Sequence, residues 1–521
     1  MAGKKQNTTA RKGVSRVLSR LPLFNQHDPV QPFHEMAVRT EIELIPSPPS
    51  MENKKEDEVA IMTSEFSLQS ARVGFFQRRW NRVALGVCGL IMLLLVILTP
   101  VSHFILKRKA ENAEAKLADE ASRYAVVKAN FPDPCMIEIE GGYYAFATRD
   151  LANPAINIQV ATALEGISKW TFLEGYDALP NLPVWVRNDG DAGVWAPQVT
   201  QRSDGVFVMA YSALHKDTPG KHCLGMATSN NILGPYDPGN STEPILCHLS
   251  LGGIIDPTFL EDPVSQQTYL VYKNDGNAIG SGGACNNGRW PNTPTTFQRS
   301  LLVQPSWTEL AAANNSLIPV QNATAAINLI NNSTIFMHNT RSDGPNIESP
   351  QVWYQEYPDI GHNGTVKRAY NMLYDAGCFA EESYRIEGLS CWLDDARNIT
   401  TFSDCNWQAI KATSTRLLLQ TGSYPQPDGK PPAMLLAPGG PGVSQDGRYM
   451  AFHADIVPSW FHKSHEPDEP KDGHHEPGKG QDATKRAKHP RYTRKRALFI
   501  AELAFDETEG LIISRLITPE R

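Results

Sequence analysis

The sequence predicts an all-β domain, a five-bladed β-propeller, preceded by a single transmembrane helix and a disordered N-terminal tail. Three observations predict this arrangement: strand-like runs that recur after X-Pro turns, a 24-residue apolar segment before them, and a polar stretch at the start. With 521 residues, the chain is expected to contain more than one structural part. Its formal charge of −7 gives no indication of a nucleic-acid partner.

Residues 1–82 are expected to form a disordered cytosolic tail. They combine basic clusters with an acidic stretch, MENKKEDEVA, and a Pro-rich one, PSPPS, and no apolar period persists among them. Such a composition buries too little apolar surface to offset the entropy lost on ordering.

The apolar segment, Val83 to Leu106, is long enough to cross a hydrocarbon core about 30 Å thick. A buried core helix is the alternative, but such helices rarely run so far without a charged residue. Basic residues flank both ends, so the positive-inside rule does not orient the segment. Residues 107–129 are expected to form a helical stalk, with the helix from Glu111 to Ala129, because strong helix formers dominate there.

The residues that follow the segment indicate its orientation. Seven of the eight cysteines lie there, together with N-x-S/T sequons at Asn240, Asn314, Asn322, Asn331, Asn332, Asn363 and Asn398. This clustering is typical of a glycosylated protein in an oxidising compartment. We therefore expect a type II glycoprotein of the secretory pathway or cell surface, with its C-terminal part lumenal or extracellular.

The seven cysteines leave one thiol unpaired, and their pairing cannot be read from the sequence. Two local disulfides are possible because their cysteines lie close together in the sequence. One joins Cys223 to Cys247, and the other joins two of Cys378, Cys391 and Cys405.

Residues 130–521 are expected to form the propeller, because one pattern recurs five times. Each unit has an X-Pro turn followed by a strand-like run rich in aromatic and β-branched residues. The runs are GGYYAFATRD from Gly141, DGVFVMAYSA from Asp204, QTYLVYKND from Gln267, RAYNMLYDAG from Arg368 and GRYMAFHAD from Gly447. The prolines of the turns are 63, 60, 93 and 91 residues apart. A β-sandwich with coincidental turns is the alternative, and five correlated units favour the propeller.

Two insertions are expected. The 93-residue step predicts one from Asn274 to Asn339, and a charged, Pro- and Gly-rich segment, residues 459–496, predicts a disordered loop in the fifth unit. The histidines of that second segment are spaced too irregularly to indicate a metal site.

Three carboxylates occupy the turns. Asp133 and Asp256 directly precede the prolines of units one and three, and Glu348 lies two residues before that of unit four. Asp-Pro alone is commonly just a turn. In a propeller, however, the starts of the innermost strands meet around the axis, so these carboxylates are predicted to form one cluster. Because like charges resist sharing a site, such a cluster is costly unless it serves a purpose. The cluster therefore indicates a functional site.

The segments FPDPCMIEIEGGYYAFATRD, VWAPQV, GMATSNNILGPY, IIDPTFLED and NIESPQVWY together resemble glycoside hydrolase family 43. The resemblance covers roughly Asn130 to the C-terminus. It implies a five-bladed propeller that hydrolyses arabinose- or xylose-containing glycans with inversion. By this resemblance Asp133 is the general base, Glu348 the general acid, and Asp256 the carboxylate that raises the acid's pKa.

Further expectations follow from the same motifs. Trp195, in VWAPQV, is a candidate wall for sugar stacking, and a packing role in the propeller is equally open. No cofactor is expected. An axial calcium is doubtful because Gly442 and Val443 stand where many family members place a histidine that helps to hold a metal ion or water network.

The expected partners are a poly- or oligosaccharide substrate and the membrane. Two other functions stay open: a catalytically inactive, membrane-tethered propeller that binds glycans, and a tethered structural or adhesion protein. The carboxylate trio favours the enzyme, because a binding module has no need of a pKa-tuned acid.

Overall fold

The computed structural model describes residues 116–149, 155–188, 192–302, 330–358, 366–427, 429–457, 495–506 and 510–520, together with residues 112 and 153. They form the five-bladed β-propeller that the sequence predicts. The predicted cytosolic tail, the apolar segment Val83–Leu106 and nearly all of the predicted loop 459–496 lie outside these residues. Among the described residues, no helix has the length and apolar character needed to span a membrane.

Each blade is an antiparallel meander of neighbouring strands. Blade 1 contains β1 (Cys135–Ile139), β2 (Gly142–Thr148), β3 (Ile158–Ala163) and β4 (Thr171–Phe172). Blade 2 contains β5 (Trp195–Gln201), β6 (Phe207–Leu214) and β7 (His222–Ser229). Blade 3 contains β8 (Ile254–Asp262), β9 (Gln267–Asn274), β10 (Thr296–Leu302) and β11 (Ile330–His338).

Blade 4 contains β12 (Ile347–Tyr357), β13 (Lys367–Ala376), β14 (Arg385–Trp392) and β15 (Arg416–Leu419). A hairpin of β16 (Gly422–Tyr424) and β17 (Ala433–Leu435) follows it. Blade 5 contains β18 (Gly439–Val443), β19 (Tyr449–Asp455), β20 (Arg496–Asp506) and β21 (Gly510–Leu516). One helix, Trp407–Ser414, packs on the outer side of blade 4 between β14 and β11.

The inner strands form a ring. They are β1, β5, β8, β12 and β18, each contacts the next, and β18 contacts β1 again. The five strand-like runs of the sequence are the second strands β2, β6, β9, β13 and β19, so the predicted repeat is confirmed. Buried aromatic and aliphatic side chains fill the spaces between blades, which explains why these runs are so apolar.

Four of the five X-Pro turns lie at β-bulges of the inner strands, and the fifth, at Asp133, directly precedes β1. The residue before each proline has a positive φ: 51° at Asp133, 45° at Ala196, 55° at Asp256, 52° at Ser349 and 61° at Gly440. The register of β5, β8, β12 and β18 against their partners shifts at the same place. Proline has no N–H to donate to a ladder, so a bulge is where an inner strand can accept it.

The start of the described chain closes the ring. The backbone N–H of Val126 donates to Leu498 O at 2.8 Å, and that of Phe131 donates to Arg496 O at 2.7 Å. This segment lies beside the first half of β20, ahead of the residues that pair with β21. The predicted stalk is therefore different in the structure. Its helix ends at Ala121, and Tyr124 and Val127 are buried against the propeller.

Two predicted insertions also differ from the structure. The step from Asn274 to Asn339 contains β10 and β11 of blade 3, so only part of it is added sequence. The predicted loop 459–496 ends slightly too late, since Arg496 already belongs to β20.

Three disulfides cross-link the blades' loops and strands. Cys223–Cys247 and Cys391–Cys405 confirm the two local pairs that the sequence allowed. The third, Cys285–Cys378, joins the β9–β10 loop to the β13–β14 loop. The unpaired thiol is the buried Cys135.

Candidate active site

The X-Pro turns of blades 1, 3 and 4 bring the three predicted carboxylates into one cluster. The backbone N–H of Ser349, the residue after Glu348, donates to Asp256 Oδ2 at 2.9 Å. The negative charges of Glu348 and Asp133 both act on Asp256. Blades 1, 3 and 4 thus each place one carboxylate in the same region.

Glu348 is held from two sides. Its Oε1 accepts a hydrogen bond from Lys273 Nζ at 2.7 Å, and its Oε2 accepts one from the Tyr384 hydroxyl at 3.1 Å. Lys273, at the end of β9, is fully buried and also lies 3.3 Å from Asp275 Oδ1. A buried ammonium needs such partners, because its desolvation is costly. Counted with its backbone, Glu348 is only 8% exposed.

Asp256 lies close to both Lys273 and Glu348. Burial raises the pKa of Asp256 to about 7, Lys273 opposes this, and the charge of Glu348 adds to it. The family resemblance implies an Asp256 anion that acts on Glu348. In the structure, burial disfavours the charge on Asp256 itself, so this carboxyl retains a proton close to neutral pH.

Asp133 has a more polar and more open environment. Thr148 Oγ1 donates to its Oδ2 at 2.7 Å, and the Ala196 N–H donates to Thr148 Oγ1 at 2.9 Å, which fixes the direction of the hydroxyl. The guanidinium of Arg496 lies 3.5 Å from Asp133 Oδ1. About twice as much of this side chain is exposed as of Glu348, 23% against 11%.

The fifth blade contributes His453. Its Nδ1 accepts a hydrogen bond from the Asp133 backbone N–H at 3.0 Å. Gly439 and Gly440, at the start of β18, make room for this arrangement. A Cβ at Gly440 would lie 2.6 Å from His453 Nδ1, and one at Gly439 would lie 2.0 Å from the Tyr384 ring. Side chains at these two positions would therefore displace the rings beside the carboxylates.

Trp195 opens β5 and is partly exposed. One face of its indole stacks on the buried His222, with ring centroids 3.7 Å apart. Burial lowers the pKa of His222 to about 3, so the imidazole beneath Trp195 is neutral. The stack fixes the orientation of the indole.

Residues of the second strands were not predicted from the sequence. The structure aligns one buried polar residue of each second strand with the X-Pro turn of its inner strand: Thr148, Ser212, Lys273, Asp375 and His453. A signal for them exists in the sequence. In four of the five runs this residue directly follows a buried aromatic one, as Tyr-Ser, Tyr-Lys, Tyr-Asp and Phe-His.

The described residues contain no group of three or more His, Cys, Asp or Glu side chains arranged to hold a metal ion. The cluster contains carboxyls, a tyrosine hydroxyl and a buried ammonium, which are groups that can transfer or hold protons.

Sequence comparisons give matches for part of the chain. Residues 122–289 match the family model for glycosyl hydrolases family 43. The extracellular endo-α-(1→5)-L-arabinanase of Thermotoga petrophila is 34% identical over 134 residues, which are 23% of this chain and 25% of that protein. The extracellular endo-α-(1→5)-L-arabinanase 2 of Bacillus subtilis is 31% identical over 107 residues, 20% of this chain and 22% of that protein. The chain therefore spans about a quarter of the length of these curated relatives.

Among solved structures, the endo-1,4-β-xylanase of Bacteroides thetaiotaomicron aligns with 75% of this chain and 97% of its own, at 15% identity and a TM-score of 0.42. The matched residues 122–289 hold blades 1 and 2 and strands β8 and β9 of blade 3. Asp133 and Asp256 lie within this range, and Glu348 lies beyond it. Over these blades the chain is similar to glycosyl hydrolases family 43, the family that its sequence motifs resemble.

Proposed function

We propose that this protein is a glycoside hydrolase that cleaves O-glycosidic bonds of arabinose- or xylose-containing glycans with inversion. The observation that carries the proposal is one cluster of three carboxylates, contributed by three blades, whose members have different surroundings. Inverting hydrolysis needs such a difference, because one carboxyl must take a proton while another gives one. The two curated relatives, both named as endo-arabinanases, support an arabinose-containing substrate.

In this mechanism Asp133 is the base. Its carboxylate is accessible to water, is oriented by Thr148 and lies 3.5 Å from the Arg496 guanidinium. The water oxygen bonds to the anomeric carbon while its proton passes to Asp133. The bond between that carbon and the glycosidic oxygen breaks at the same time.

Glu348 is the acid that protonates the departing oxygen, and Asp256 maintains a proton in the cluster near neutral pH. Trp195, fixed by its stack on His222, supplies a wall for a sugar ring.

The test is turnover of arabinofuranosyl and xylosyl oligosaccharides by the full-length protein, with the anomeric form of the first product followed by NMR. Glu348→Gln is expected to lower kcat/KM by roughly 10²–10⁴ on these substrates. On an aryl glycoside with an acidic phenol the loss is expected to be much smaller, because that leaving group needs no proton. Asp133→Asn is expected to be impaired on both.

The control is Glu356→Gln, an exposed carboxylate at the opposite end of β12. A product of retained configuration would contradict inversion, and full activity of Glu348→Gln would contradict its role. Glycan binding without turnover by the unaltered protein would favour the alternative of an inactive, glycan-binding propeller.

We also infer that the protein is a single-pass type II membrane protein, anchored by Val83–Leu106, with the propeller lumenal or extracellular. The three disulfides support this, because such bonds persist in oxidising compartments. The sequon asparagines Asn240 and Asn398 are exposed, as glycosylation requires. Enzymatic removal of N-glycans should lower the apparent mass of the membrane-bound protein, and an unchanged mass together with free thiols would contradict the topology.

A further inference from the structure

Another buried carboxyl, Asp375, lies next to Glu348 on the neighbouring strand. It belongs to β13 and is directly opposite Glu348 in the pairing of β12 with β13. Asp375 is fully buried. Its Oδ2 is 2.7 Å from the hydroxyl oxygen of Tyr384, the same hydroxyl that lies 3.1 Å from Glu348 Oε2. Tyr384 therefore bridges the two carboxyls.

The number of protons in this bridge is limited. The Tyr384 hydroxyl has one hydrogen, yet it faces two carboxyl oxygens. If both carboxyls were ionised, one of their oxygens would face only the lone pairs of the hydroxyl. A proton on Asp375 removes the conflict. Asp375 then donates to Tyr384, and Tyr384 donates to Glu348.

The surroundings favour that neutral form. Burial is the largest influence on Asp375, and the charge of Glu348 adds to it. Hydrogen bonds from the Gly440 N–H, the Tyr384 hydroxyl and the Ser349 hydroxyl oppose it, and none of these groups is a cation. Burial holds the pKa of Asp375 well above its ordinary range. Burial likewise raises the pKa of Tyr384, so its hydroxyl stays protonated.

The remaining titratable neighbours do not change this distribution. Lys273 is paired with Glu348 and Asp275. His453 of β19 stacks on the Tyr384 ring, with centroids 6.2 Å apart, and accepts the Asp133 N–H through Nδ1. The charge of Asp133 also acts on Tyr384 and opposes its ionisation.

We propose that Asp375 is a permanently neutral carboxylic acid and that, through the hydroxyl of Tyr384, it positions Glu348. Because Asp375 supplies the donor on the far side, Tyr384 can donate to Glu348 both before and after Glu348 gives up its proton. Asp375 and Tyr384 are positioning residues, since neither needs to touch the substrate. The proposal rests on the proposed function only for its effect on turnover; the proton on Asp375 is a separate property of the fold.

The direct test is infrared spectroscopy. A C=O band of a protonated carboxyl is expected in the full-length protein up to at least pH 8. The band should shift on ¹³C labelling of aspartate and disappear in Asp375→Asn. If no such band is lost in Asp375→Asn, Asp375 is ionised and the proposal is wrong, whether or not the protein has enzymatic activity.

The kinetic test is Tyr384→Phe, which removes only the bridging hydroxyl. Loss of a hydrogen bond to a charged group is expected to lower kcat by roughly tenfold to a hundredfold, with little change in KM. The pH–rate profile is expected to change as well, because the hydroxyl that donates to Glu348 is gone. Tyr374→Phe is the matched control, since that hydroxyl is equally buried and donates to Glu387 at 2.6 Å. A profile of Tyr384→Phe that matches this control would overturn the positioning role.

Discussion

At the scale of single residues, Asp256 links the chemistry of the site to the stability of the fold. Burial raises its pKa in the folded protein to about 7, whereas an unfolded aspartate has a pKa of about 3.9. Between these values the folded state holds a proton that the unfolded state releases. The stabilisation from this group is therefore complete below about pH 4 and is lost as the pH rises through about 7.

Asp256→Asn removes this dependence. We compare the free energy of unfolding of the unaltered protein with that of the variant. The difference is expected to fall by at most roughly 4 kcal/mol as the pH rises from 4 to 8. Denaturant titrations at several pH values measure it. Asp395→Asn, a change at an exposed carboxylate, is the control. A constant difference between protein and variant across this range would show that Asp256 does not titrate as described.

Asp133, Asp256 and Glu348 could be predicted as site residues because proline marks their positions. Lys273 and Tyr384 carry no such mark. Lys273 is one of two polar residues at the end of β9, and Tyr384 lies in the loop between β13 and β14. Their roles follow from pairing across strands, which a one-dimensional pattern does not specify.

At the scale of elements, the bulges and the loops have different origins. The five X-Pro turns are local and repeat in the sequence, so blade number and inner strands could be predicted. The Cys285–Cys378 bond could not, because it joins loops of adjacent blades that are 93 residues apart. The closeness of such loops is a property of the assembled ring.

This difference in span predicts a difference in stability. In the chain-entropy description, a bond that closes 93 residues stabilises by about 4–5 kcal/mol and one that closes 14 residues by about 3 kcal/mol. Replacing Cys285 and Cys378 by serine should therefore lower the free energy of unfolding more than replacing Cys391 and Cys405. Chemical denaturation without reductant measures both. The reverse order would contradict an entropic origin.

At the scale of the whole molecule, the ring depends on its first residues. The sequence placed the start of the propeller at residue 130 because the stalk before it has strong helix formers. Tertiary packing overrides that propensity. Tyr124 and Val127 join the core, and Phe131 is fully buried, with its ring edge-on to Phe172 at 6.1 Å. The closing segment therefore belongs to the propeller.

Phe131→Ala tests whether this segment holds the ring closed. Removal of a fully buried phenylalanine is expected to cost about 3–5 kcal/mol, because it loses apolar burial and leaves a cavity. Hydrogen exchange should accelerate most in β20, whose Arg496 carbonyl accepts the Phe131 N–H. Lys128→Ala, at an exposed position of the same segment, is the control. If Phe131→Ala lowers stability while exchange in β20 stays as slow as in the control, closure does not depend on this segment. If β20 opens first, the segment holds blades 1 and 5 together and any shorter form of the domain must retain it.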